Sequence, residues 1–120
     1  MVAESINQVR KLFEEFRRVT DRDDAERKLQ QAADAALDVI DGDAPDEMRD
    51  VVRHIVNTYC EGFLKEANAS LLKMKGSSFQ DMEMLGHYQS MCEAFAQIRD
   101  NDPDLRAMQK QIRDLWTRWL

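Results

Sequence analysis

Apolar residues along this chain recur at steps of three and four, not two, and polar breaks divide them into five runs. In the first, Val2, Ile6, Val9, Leu12, Phe13, Phe16 and Val19 share a face opposite Arg10, Lys11, Glu14, Arg17 and Arg18. This spacing predicts a helix over residues 3–19. Thr20–Asp23 is a polar break with two capping candidates, Asp21 and Asp23. The second run, residues 24–41, stops before Gly42 and turns Ala25, Leu29, Ala32, Ala33, Ala36, Val39 and Ile40 inward. Because that face is mostly alanine, its axis should come close to a neighbouring helix while burying little area per residue.

The third run dominates the chain. It opens at Asp43-Ala44-Pro45, where a proline suits the first helical turn, and ends at Lys75 before Gly76. Between these limits Met48, Val51, Val52, Ile55, Val56, Tyr59, Cys60, Phe63, Leu64, Ala67, Leu71 and Met74 cover about half the helix circumference. A face that wide needs more than one neighbour. At about 1.5 Å per residue the helix would span roughly 45 Å, so either it bends, with Gly62 as the natural place, or one end projects and pairs with another copy.

Ser78-Phe79-Gln80-Asp81 is a capping signature that opens the fourth run, residues 79–100. Its inner face is Met84, Leu85, Tyr88, Met91, Cys92, Phe95 and Ala96. Asn101-Asp102-Pro103 then announces a fifth helix, residues 103–120, with Leu105, Met108, Ile112, Leu115, Trp116 and Trp119 along a narrow stripe. The fold expected is all-α: one domain, an antiparallel bundle of about five helices around a long central helix near residues 45–75.

Composition narrows the function more than it names it. With 120 residues, 43% hydrophobic and 33% charged, the chain can build a real core beneath solvated outer faces. The formal net charge is −6, which argues against direct binding of nucleic acid or an anionic membrane. The acid is concentrated in Thr20–Asp50, where eleven carboxylates face four basic residues, whereas the fifth helix sets Arg106, Lys110, Arg113 and Arg118 against Asp104 and Asp114. No basic segment followed by an apolar run opens the chain, and no window approaches 18 apolar residues, so a cytoplasmic protein without a membrane span is expected. Cys60 and Cys92 lie on apolar faces and are expected as buried thiols.

Candidate chemistry is sparse. Asp50/His54 and Glu83/His87 are i, i+4 pairs, but zinc takes three or four ligands, and these read as ordinary surface pairs. No Gly-x-Ser-x-Gly, P-loop or Gly-x-Gly-x-x-Gly occurs, and adjacent carboxylates such as Glu14-Glu15 diverge on a helix. Neither catalysis nor a metal or cofactor is expected. Met74, Met82, Met84 and Met91 straddle the turn between helices three and four, where methionine suits either a core gap or a surface that takes varied apolar partners.

The reading that remains is a protein-interaction or regulatory module that associates with a protein partner or a second copy, expected as a homodimer. Two alternatives compete with it. One is a bundle whose interior (Tyr59, Phe63, Tyr88, Met91, Phe95) senses a small apolar ligand. The other is an acidic inhibitor that mimics nucleic acid on a basic partner. The partner-binding residues expected are Trp116, Trp119, Leu115, Ile112, Arg113 and Arg118, with Asp34 and Asp38 as their electrostatic complement.

Overall fold

A computed structural model describes residues 2–74 and 78–118. Among them there are five helices and no strand: α1 (Val2–Arg18), α2 (Arg22–Ile40), α3 (Asp46–Lys73), α4 (Phe79–Ile98) and α5 (Pro103–Arg118). The class is all-α, as the periodicity required. The expected ends of the third helix at Lys75-Gly76 and of the fifth at Trp119-Leu120 lie outside the described residues.

Three of the starts have a local cause. Asp21, not Asp23, caps α2, its carboxylate accepting from the Asp24 amide at 3.1 Å. The Ser78 hydroxyl accepts from the Asp81 amide at 3.1 Å and opens α4. Asp102 Oδ1 accepts from the amides of Asp104 and Leu105 at 2.9 and 3.0 Å, and Pro103 follows as the first residue of α5. The other Asp102 oxygen takes the Arg99 guanidinium, and Asn101 makes the corner with a left-handed φ of 59°.

The chain divides into two compact units, Met1–Cys60 and Glu61–Leu120. In the first, α1 and α2 lie close together, as the alanine face implies: Ala32, Ala33 and Ala36 are fully buried, with Ala25 and Leu29 beside them. Val9, Leu12 and Phe13 come from α1, and Val52, Ile55, Val56 and Cys60 from the first half of α3. Lys28 of α2 bridges to Glu15 of α1 at 2.9 Å, and that hydrogen bond holds the Glu15 carboxyl below its ordinary pKa. Tyr59 stacks on Phe13, ring centroids 5.0 Å apart, and donates its hydroxyl to Glu14 at 2.5 Å.

In the second unit the core is Phe63, Leu64, Ala67 and Leu71 of α3 with Leu85, Tyr88, Met91, Cys92, Ala94 and Phe95 of α4 and Leu105, Met108, Ile112 and Leu115 of α5. Phe63 stacks on Phe95 at 5.4 Å and meets Tyr88 edge-on at 6.1 Å, which sets α3 and α4 side by side. Ala94 is buried although it lies off the expected face of α4, while Met84 and Ala96 are only half-buried. Cys60 and Cys92 are both buried thiols.

Helix α3 is continuous through Gly62, an exposed position where a Cβ would meet nothing within 4 Å. Its apolar face is covered within the chain from Val52 to Leu71, leaving Val51 at its margin.

Candidate protein-interaction site

The largest exposed apolar groups sit at one end of the α3–α4 pair in the second unit. Leu72, in the last turn of α3, is 81% exposed, and Phe79, the first residue of α4, is 73% exposed. The only other large hydrophobic exposed among the described residues is Val51, at 37%. Met74, Met82 and Met84 are half-buried around this end, whereas Met91 is in the core. The four methionines singled out by their place in the sequence therefore split by burial: Met91 lies in the interior and the other three are half-buried near the ends of α3 and α4.

The local reason is periodicity. Phe63, Leu64, Ala67 and Leu71 continue the buried stripe of α3, and Leu72 falls one residue past it, rotated by about 100° onto the outer side. Phe79 occupies the first position after the Ser78 cap, where a helix has only just begun and the core stripe of α4, from Leu85 onward, has not. The charges beside them have opposite signs on the two helices: Lys73 on α3, Asp81 and Glu83 on α4.

The residues expected to bind a partner fall into three groups. Ile112 and Leu115 are buried, 1% and 6% exposed, so they belong to the core of the second unit and offer nothing to an outside partner. Trp116 is half-buried, and Arg113 and Arg118 are exposed on α5; Trp119 lies outside the described residues. Asp34 and Asp38 are exposed on α2 in the first unit, where Asp34 accepts from Gln30 Nε2 at 3.0 Å. Asp38 also lines an open cleft of about 690 Å³ with Glu4, Ser5, Gln8, Ala35, Val39, Asp43 and Ala44. The sequence named α5 residues for the contact and also offered a projecting end of the third helix and the methionine-flanked turn after it; among the described residues the large apolar side chains most exposed are Leu72 on α3 and Phe79 on α4.

Among the described residues no group of three or more His, Cys, Asp or Glu side chains is placed to hold a metal ion, and no helix is long and apolar enough to cross a membrane. Among the described residues Tyr59 has a strongly shifted phenol. Burial first, then its bond to Glu14 and that carboxylate's charge, push the phenol up to about 12. A phenol held neutral so far above the ordinary range is an anchor, not an acid or base for catalysis near neutral pH. The chain matches no protein-family model, no curated protein and no solved structure.

Proposed function

We propose that this protein is a helical interaction module that associates with a second copy of itself through the end of α3 and the start of α4. The observation behind this reading is the exposure of Leu72 and Phe79, two large apolar side chains left in water at the same end of one helical pair. An interface between identical copies must be self-complementary. This end meets that condition, because Lys73 on one copy can face Asp81 and Glu83 on the other while leucine, phenylalanine and methionine meet across the axis.

Magnitude makes the association weak. Each of the two side chains, about three-quarters exposed, would contribute about 1–2 kcal/mol on burial. Four of them in a symmetric pair give about 4–8 kcal/mol, against an association cost of about 4–15 kcal/mol. Net of the smallest such cost these contacts leave about 4 kcal/mol at most, which corresponds to a concentration-dependent dimer with Kd on the order of millimolar.

Light scattering over a concentration series tests this. The wild-type mass should rise from monomer toward dimer, and the Leu72→Ser/Phe79→Ser variant should stay monomeric with unchanged helicity. A wild-type protein that stays monomeric throughout, or a variant that dimerises as well as wild type, would overturn the proposal.

A further inference from the structure

A second surface deepens this reading and rests on it, since it too requires two copies. Helix α5 buries Leu105, Met108, Ile112 and Leu115 and turns Arg106, Lys110 and Arg113 to solvent, at positions i, i+4 and i+7. At 3.6 residues per turn these three fall within about 60° of one another, on the side opposite the core stripe. Arg106 donates to the side-chain oxygen of Asn101. Lys110 and Arg113 make no ion pair among the described residues.

Helix α2 presents the opposite charge with the same spacing. Asp34, Asp38 and Asp41, the last being the C-cap residue, stand at i, i+4 and i+7 and are all exposed. None has a cation partner among the described residues, although elsewhere in the first unit Glu14, Glu15, Asp24 and Asp50 are each paired with Arg or Lys. Other surface carboxylates among the described residues also lack a cation partner; what sets these three apart is their regular spacing along one face of a helix.

We infer that the cationic row of α5, Arg106, Lys110 and Arg113, docks on the anionic row Asp34, Asp38 and Asp41 of α2 in a second copy. The fit comes from the period: two rows with steps of four and then three residues place charges about 6 and 4.5 Å apart along each axis. Laid parallel, all three pairs register; laid antiparallel, the middle pair is offset by only about 1.5 Å, within the reach of Lys and Arg side chains. In a two-fold pair the contact occurs twice. Charge pairs of this kind select which faces meet more than they add affinity, and they would add to the orientation that Lys73, Asp81 and Glu83 give the α3–α4 end.

A charge-swap experiment tests this at one near-physiological salt concentration, with self-association read by sedimentation equilibrium. Lys110→Glu/Arg113→Glu makes both rows acidic, and Asp34→Lys/Asp38→Lys makes both basic. Each variant alone should self-associate about tenfold or more weakly than wild type. The second variant is the sharper of the two: four charge units take the net charge from −6 to −2, so general repulsion between copies falls while the proposed contact is lost. Mixed one to one, the two variants restore opposite charges at both contacts, and hetero-association within about threefold of wild type is expected. If either reversed variant loses helicity, the neutral pair Arg113→Gln and Asp38→Asn replaces it, with a smaller weakening of the same sign.

The outcomes separate the two readings. If wild type associates but the variants associate equally well alone and gain nothing on mixing, the α5–α2 contact is wrong and self-association stands. If wild type is monomeric at every concentration, both are overturned. Binding of an oligonucleotide by a monomeric protein, abolished by Lys110→Glu/Arg113→Glu, would reassign the α5 row to nucleic acid.

Discussion

Replacing Tyr59 with phenylalanine isolates a single oxygen that ties α3 to α1. The ring, stacked on Phe13 at 5.0 Å, is retained, so little packing is lost. What goes is the 2.5 Å hydrogen bond to the Glu14 carboxylate. Bonds to charged acceptors contribute about 1.5–3 kcal/mol when sheltered. Here the Glu14 side chain is 45% exposed and also lies 3.8 Å from Arg18, so water and that guanidinium take over part of the role, and about 1 kcal/mol is expected.

The pH dependence sharpens the test. The phenol is held up to about 12 in the folded chain, against an ordinary value near 10. Below about pH 10 both folded and unfolded chains keep this proton, and the contribution is fully present. Between about 10 and 12 the unfolded chain releases the proton and the folded one does not, so stability falls as pH rises. Two pKa units correspond to about 2.7 kcal/mol, which partial exposure reduces to about 1–2 kcal/mol. Urea unfolding followed by circular dichroism should therefore find wild type about 1 kcal/mol more stable than Tyr59→Phe at about pH 8, with the advantage gone by about pH 12. The 295 nm difference spectrum between the two proteins should titrate well above 10. Equal stabilities at about pH 8, parallel losses up to about pH 12, or a difference spectrum titrating near 10 would refute the reasoning.

Three further outcomes are expected. Gly62→Ala should stabilise by about 0.5–1 kcal/mol, since a Cβ there meets open space inside a helix, whereas Gly42→Ala should destabilise, its Cβ falling 2.6 Å from the Asp38 carbonyl oxygen; melting temperatures moving in the same direction would contradict this. Ala33→Leu should cost about 1–3 kcal/mol in urea unfolding, because Ala33 is fully buried in the core of the first unit, and a neutral result would mean that this core is looser than described. Asp102→Ala should cost about 2–3 kcal/mol in thermal unfolding, removing the α5 cap and leaving half-buried Arg99 without its carboxylate; Asp102→Asn, which keeps an acceptor oxygen for the cap, should lose less.

The sequence by itself determined the helices and most of their starts. Asp21, Ser78 and Asp102-Pro103 act through bonds to amides two or three residues away, so their effect is written in neighbouring positions. The alanine row of α2 likewise announced a close approach, because side-chain size alone limits how near two axes can come. Periodicity, however, gives only an angle around a helix axis and says nothing about what lies at that angle. The stripe of α5 therefore could not separate Ile112 and Leu115, which are buried, from Trp116, which is half-exposed. The broad face of α3 suggested a surface for another copy, yet the chain's own residues cover it, and the exposed groups are Leu72, just past the stripe, and Phe79, just before the next. Pairings across long stretches of chain, such as Tyr59 with Glu14 and Lys28 with Glu15, leave no mark in local spacing. The sequence already names Asp34 and Asp38; what only the folded chain added is that they and Asp41 are exposed and have no cation partner among the described residues, because such pairings consume some charges and not others.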